Sequence, residues 1–337
     1  MHRMFLLAIG LVVLGGASRR AAALPKCADP SSPVACPHWP KDHPWPRPGV
    51  ELVHLRVLPH DTDKGIRIKD LKDRTPYHVI YRRSDQKPNG HLLVFLPGSG
   101  GIPEAESSEF FVQLAAWQGY HAIGLVYVND HEIGPATGSG IGSGALCTQP
   151  QGLDCFGEKC LENLEGKPGS SYVDPPNSVQ NRLVKLLMWL KVHDPDADWG
   201  QFLDGGRPKW ESIAFAGHSQ GGGLSAFIGV KHKVHRVASL SSPAEGFDSE
   251  IAPWQKEKPA TPPERFYGFA NRDDPRFVRI PKVWAALGLP GGLEAPLAMG
   301  QKPKRGIHQV TTQGTSDPHN SVMQDGFSEV WLYLMGE

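Results

Sequence analysis

The chain has 337 residues, 39% hydrophobic and 21% charged, and its 35 basic and 35 acidic side chains cancel to a formal net charge of zero. It is long enough for one large α/β domain and too apolar for a disordered chain. The balanced charge recruits neither nucleic acid nor an anionic membrane surface, so those partners are excluded. The 38 glycines and 31 prolines, about a fifth of the residues, fall short of low complexity and point to long ordered loops.

The first element reads as a targeting segment. Arg3 precedes an apolar run from Phe5 to Ala17, too short for a bilayer span, which needs about 20 residues. The run matches the core of a secretory signal peptide, with small residues following at Ala17 and at Ala21-Ala22-Ala23. Arg19-Arg20 is unusual so close behind such a core. Residues 1–23 are expected to be removed on export, with cleavage after Ala17 or after Ala23. The mature protein is then secreted or periplasmic, with no stable membrane span. Residues 24–49 make a Pro-rich arm. The five cysteines, Cys27, Cys36, Cys147, Cys155 and Cys160, fit disulfide staples in an oxidising compartment, with the pairing open. No C-x-x-C pair occurs, which argues against zinc.

From residue 50 onward, strands alternate with helices in one domain, 50–337. Val50–Leu58 and Pro76–Arg82 are β-branched or aromatic runs bounded by turn residues. His91–Leu96 is an unbroken apolar run of the kind that fills a central strand. Glu104–Gln118 carries acidic residues in its first turns and apolar ones at helical spacing. His121–Val128 reads as a strand. Residues 130–176 show no periodicity and form a long irregular insertion, expected to shape the acyl and alcohol pockets together with 242–263. Asn177–His193 returns to helix with a leucine stripe. Strands follow at 212–216, 234–240, 265–270 and 306–312, with helices at 219–230, 281–287 and 321–335. Repeated βα units imply a mostly parallel sheet with helices on both faces.

Gly217-His218-Ser219-Gln220-Gly221 is a G-x-S-x-G pentapeptide between a predicted strand and a predicted helix. That context is a nucleophile elbow, in which serine sits in a strained turn and bulky neighbours two residues away are excluded. Ser219 is thus the candidate nucleophile. Its partners in this architecture follow in the order acid, then histidine. Beyond the strand 265–270 only His308 and His319 remain. His308 falls in a predicted strand, whereas His319 lies in a loop before the last helix, from which an imidazole can reach the elbow. Asp273 and Asp274 both follow the 265–270 strand directly. Asp274 is the candidate acid because Pro275 fixes the chain after it, in which case Asp273 caps the turn or faces solvent; Asp273 is the alternative acid.

An oxyanion hole needs two preorganised N–H groups. The expected donors are the backbone amides of Gln220, after the nucleophile, and Ser99, in Pro97-Gly98-Ser99-Gly100-Gly101 after the third strand. Nucleotide sites are not supported, since Gly166-Lys167-Pro168 lacks the rest of a P-loop and Gly138–Gly142 does not complete G-x-G-x-x-G. Asp194–Asp198 resembles the start of a calcium loop but has Trp199 in the glycine position, and is expected to be a solvated turn. Neither a metal nor an organic cofactor is expected.

Gly98-Ser99, the 217–221 pentapeptide, Asp274 and His319, in that order, resemble the α/β-hydrolase superfamily. Asn181–Leu187, Trp199–Leu203, Gly217–Gly223 and His319-Asn320-Ser321 are similar to segments of exported bacterial α/β-hydrolases of unassigned substrate. The resemblance implies an eight-stranded, mostly parallel sheet and acyl-enzyme chemistry by a Ser-His-Asp triad. It is compatible with hydrolysis of a small-molecule or polymer carboxylic ester. A serine peptidase or amidase is the first alternative, and a catalytically silent binding protein on the same fold is the second.

Overall fold

A computed structural model of the chain describes residues 51–67, 76–85, 88–134 and 145–336. The expected signal peptide, the Pro-rich arm with Cys27 and Cys36, and the glycine run 138–142 lie outside the described residues.

Eight strands form one sheet: β1 Leu52–Val57, β2 His78–Arg83, β3 Leu92–Leu96, β4 His121–Gly124, β5 Ile213–His218, β6 Arg236–Leu240, β7 Phe266–Asn271 and β8 Gln309–Thr312. Their spatial order is β1-β2-β4-β3-β5-β6-β7-β8. The two pairings that involve β2 are antiparallel, and the other five are parallel. With helices on both faces, this is the α/β-hydrolase fold.

Alternation along β3 shows how the sequence builds both faces. Leu92, Val94 and Leu96 point to one side, where they join a core with α2 (Asp154–Glu165), α3 (Val179–His193), α4 (Gln220–Lys231) and α5 (Ile280–Ala286). Leu93 and Phe95 point to the other side, toward α1 (Glu106–Trp117) and α6 (Ser328–Met335). All five β3 side chains are buried, each worth roughly 1.5–3 kcal/mol relative to exposure.

Four expectations need correction. Residues 130–176 are not irregular throughout, because Asp154–Glu165 is a 12-residue helix. Its buried positions include Cys155, Phe156, Cys160 and Leu164. Cysteine packs there as a small hydrophobe, which hides the apolar stripe from a reading that treats it as a staple. Cys147 and Cys155 are disulfide-bonded, while Cys160 is a buried free thiol.

Second, Asp194 is not in a solvated turn. It is 4% exposed and takes a forked pair of hydrogen bonds from Arg82, at 2.6 and 2.8 Å, and a third from Trp199 Nε1 at 2.9 Å. Burial raises its carboxyl, but these donors outweigh burial and hold it below the ordinary carboxylate range.

Third, the closing helix is broken. A helical turn at Pro318–Ser321 and a 3₁₀ turn at Asp325–Phe327 precede α6, with Gly326 at the break. Last, His308 precedes β8 rather than lying in it. Its ring is buried at the amino end of β7, bonded to Phe266 O at 2.9 Å and stacked on Tyr267.

Candidate active site

The carboxyl ends of the parallel strands carry the candidate residues. Ser219 follows β5 directly and precedes α4, with φ +54° and ψ −121°. A positive φ is strained for a residue with a Cβ, and the turn around it leaves no room at its flanks. A methyl at Gly221 would fall 2.5 Å from Pro97 O and nearer still to Leu96 O, both backbone atoms of β3 and its exit loop. Glycine there lets α4 start against β3, which lifts the Ser219 hydroxyl above the sheet.

From this hydroxyl a series of hydrogen bonds runs through His319, in the turn Pro318–Ser321 beyond β8, to Asp274, after β7. His319 Nε2 lies 2.8 Å from Ser219 Oγ, and His319 Nδ1 lies 2.7 Å from Asp274 Oδ2. Asp274, 2% exposed, caps the turn after β7 and accepts the Arg276 backbone N–H at 2.9 Å on its other oxygen. Arg276 Nη1 approaches the same oxygen at 3.6 Å. Burial pushes the Asp274 carboxyl up, yet the His319 hydrogen bond and charge, with the Arg276 groups, hold it below its ordinary value. As a carboxylate it can accept from Nδ1–H, an arrangement that would leave Nε2 as the acceptor facing Ser219 Oγ. Asp273 does not reach this chain of bonds. It is exposed and accepts the Gly314 N–H at 2.7 Å.

The loop 97–101 lies across from the elbow. Gly98 packs so closely that a methyl would sit 3.2 Å from Ser219 Cβ and 3.1 Å from His218 Nδ1. Asn129 braces the loop, donating from Nδ2 to Gly98 O at 2.6 Å and to Gly101 O at 3.0 Å. Its own carbonyl accepts the Gly100 N–H at 2.7 Å, and the Tyr127 hydroxyl donates to Pro97 O at 2.7 Å. Ser99 and Gln220, the two expected oxyanion donors, are joined through their side chains, Ser99 Oγ donating to Gln220 Oε1 at 2.7 Å. As the first residue of α4, Gln220 has a backbone N–H with no acceptor inside its helix.

Ser99, Ser219, Gln220 and His319 border a cavity of about 810 Å³, within the usual range for small-molecule sites. Its walls differ in part from expectation. Of the described residues of the insertion, only 132–134 line it, whereas α2 packs in the core on one face of the sheet. From 242–263 only Ser242, Ala244, Glu245 and Gly246 line it. The start of α1, Arg276, Arg279 and residues 317–325 supply much of the rest, of which sequence pattern indicates only His319. Three of the ionisable groups on the cavity wall, Glu132, Glu245 and Arg279, also escape that pattern. Burial raises Glu132 against the pull of Arg276 and His319. It raises Glu245 against nearby backbone N–H groups, Gln255 and Arg279. Arg279 gives Nε and Nη1 to the carbonyls of Ala244 and Asp248, each at 2.7 Å. No periodicity or short motif marks such residues, since only the fold brings them to one space.

Among the described residues, no group of three or more His, Cys, Asp or Glu is placed to hold a metal ion. No helix there is long and apolar enough to cross a membrane.

No protein-family model matches the chain, and no curated protein matches it in sequence. Among solved structures, it is similar to esterase Est22, at 12% identity over 86% of this chain and 79% of the other, with a TM-score of 0.37. It is likewise similar to an alpha-beta serine hydrolase homologue from Coxiella burnetii, at 14% identity over 79% and 95% of the two chains (TM-score 0.38). A bacterial heroin esterase matches at 14% identity over 86% and 84% (TM-score 0.38).

Proposed function

We propose that this protein is an exported serine hydrolase that cleaves carboxylic esters through an acyl-enzyme. The observation that carries the reading is the hydrogen-bonded series Ser219–His319–Asp274, with the serine at a strained strand-to-helix turn on the wall of the cavity. Ser219 Oγ attacks the ester carbonyl carbon as His319 Nε2 takes its proton. Asp274 keeps the imidazole in the required tautomer and stabilises the imidazolium. The backbone N–H groups of Ser99 and Gln220 bind the oxyanion of the tetrahedral intermediate. Collapse breaks the bond to the leaving oxygen, which receives the proton from His319 and departs as the alcohol. Water, deprotonated by the same imidazole, then attacks the acyl-enzyme and releases the acid and free Ser219. Neither half-reaction calls for a metal or an organic cofactor.

Export is supported by the signal-like run 5–17 and by the Cys147–Cys155 bridge, which suits an oxidising compartment. The test is hydrolysis of p-nitrophenyl esters of increasing acyl length by the protein beside Ser219→Ala. Turnover lost in the variant is the expected result, and the chain-length preference then measures the acyl pocket. Turnover retained in Ser219→Ala would refute the reading. Cleavage of amides but not esters would favour a peptidase or amidase. Ligand binding without fluorophosphonate labelling of Ser219 would mark a silent fold.

A further inference from the structure

We infer that His218 and Ser241 are positioning residues for the imidazole of His319, acting through two side-chain donors that converge on its backbone carbonyl. This rests on the reading of Ser219 and His319 as nucleophile and base.

His319 sits in a helical turn of four residues, Pro318–Ser321, too short to hold itself in place without outside support. Its carbonyl oxygen lies 3.0 Å from His218 Nε2 and 2.8 Å from Ser241 Oγ. A carbonyl only accepts, so His218 carries its proton on Nε2 and Ser241 donates its hydroxyl. Both lone pairs of that oxygen are occupied, while the two ring nitrogens face Ser219 and Asp274.

The donors come from the ends of adjacent strands. His218 is the last residue of β5 and the direct neighbour of Ser219, so the nucleophile and one support of its base move as a unit. Ser241 follows β6, is fully buried, and has its own N–H bound to Phe269 O at 2.8 Å. Leu240, beside it, accepts the Ser219 N–H at 2.9 Å. Each donor is therefore locked to the backbone that also holds the nucleophile. Burial, reinforced by the nearby His319, lowers His218 to about 3, so its ring stays neutral over the working pH range and adds no charge beside the base. The second position of the pentapeptide thereby transmits the position of the elbow to the imidazole.

The experiment compares two esters of one acid, an ethyl ester and a p-nitrophenyl ester, in His218→Leu, His218→Gln and Ser241→Ala. The ethoxide leaving group must be protonated by His319, whereas p-nitrophenolate leaves without a proton. Displacing a reacting group by about 1 Å can cost on the order of 10²-fold. His218→Leu and Ser241→Ala should each lower kcat on the ethyl ester by about that factor, with KM little changed. The loss on the p-nitrophenyl ester should be about 10-fold smaller. His218→Gln, whose amide can still donate, should recover most of the rate. Because both donors share one acceptor, the double variant should lose less than the product of the single losses.

Equal losses on the two esters, a change confined to KM, or a glutamine variant no better than leucine would overturn the inference. If His218→Leu does not fold, the leaving-group contrast in Ser241→Ala decides. Ser219→Ala in the same assay keeps the two readings apart: survival of turnover there refutes the nucleophile, not the positioning pair. Should neither ester be turned over, the rate of Ser219 labelling by a fluorophosphonate replaces kcat. Unlabelled wild type would then refute the nucleophile. An unchanged labelling rate in both Ser241→Ala and His218→Leu would refute the positioning role.

Discussion

Gly221→Ala tests the elbow in its most confined place. In an exposed helix the change would be favourable by about 0.8–1.0 kcal/mol, since alanine is the better helix former. Here the new methyl would meet Pro97 O at 2.5 Å and Leu96 O more closely, against ordinary contacts of 3.4 Å or more. Both obstacles are backbone carbonyls tied into β3 and its exit loop, so neither can rotate aside. The start of α4 must retreat by about 1 Å or more, a displacement that falls directly on Ser219 Oγ and Gln220 N. Overpacking of this kind costs about 1–3 kcal/mol or more, enough to outweigh the gain in propensity. A 1 Å misplacement of reacting groups costs on the order of 10²-fold in rate. Urea unfolding should therefore show a loss of about 1–3 kcal/mol, and ester turnover a fall of about 10² or more. Gly229→Ala, on the same helix, is the control. Its methyl would meet side-chain atoms of Val237 and Phe266 at 2.6 and 2.9 Å, which can adjust, so it should lose stability with much less loss of rate. Wild-type stability and turnover in Gly221→Ala would refute the claim that close approach of α4 to β3 sets the serine.

Asp274→Asn should lower kcat by about 10³–10⁴-fold by favouring the wrong imidazole tautomer. Asp273→Asn, which alters only the bond to Gly314 N, should stay close to wild type; the reverse ranking would exchange the two aspartates. Asp194→Asn should cost about 3–5 kcal/mol in urea unfolding, because it leaves the buried Arg82 guanidinium without its counter-charge; a loss below 1 kcal/mol would show that water reaches the pair. Burial lowers several histidines in the folded state, His54 and His218 to about 3, His235 to about 4 and His78 well below its ordinary value. The unfolded chain protonates these rings near pH 6.5, so their contribution is complete above that pH and is lost as pH falls from 6.5 toward 3. The urea midpoint should drop between pH 7.5 and pH 5, and a midpoint constant over that range would contradict neutral burial.

Sequence pattern reaches furthest where one backbone geometry demands particular residues. The β3 run, short, apolar and bounded by turn residues, fits a strand buried on both faces, and the pentapeptide gains its meaning from standing between a strand and a helix. Chain order then narrows the acid to Asp273 or Asp274 and the base to His308 or His319; of these the fold brings Asp274 and His319 within hydrogen-bonding distance of each other, and His319 within reach of Ser219. Contacts made by backbone carbonyls leave no trace, because any residue could occupy the accepting position; the bonds of His218 and Ser241 to His319 O are of this kind. Asp194 misleads because a carboxylate beside proline and two more aspartates reads as solvent-facing, while its partner Arg82 is 112 residues away. Helix α2 is hidden for a compositional reason, since cysteines and Gly157 interrupt the stripe that leucines would have made plain.

Cys160 gives the stability of this protein a kinetic side. Its thiol is fully buried, and burial pushes it well above its ordinary value, so in the folded state it stays protonated and inert toward disulfides. Unfolding exposes it five residues from Cys155 in the chain, where the thiolate can attack the Cys147–Cys155 bridge and trade partners with it. Refolding then competes with shuffling among three cysteines within fourteen positions of one another. Recovery after heating should fall with time spent unfolded at alkaline pH, and should fall less in a Cys160→Ala chain, so the hydrophobic core around this helix protects the covalent pattern as well as the fold.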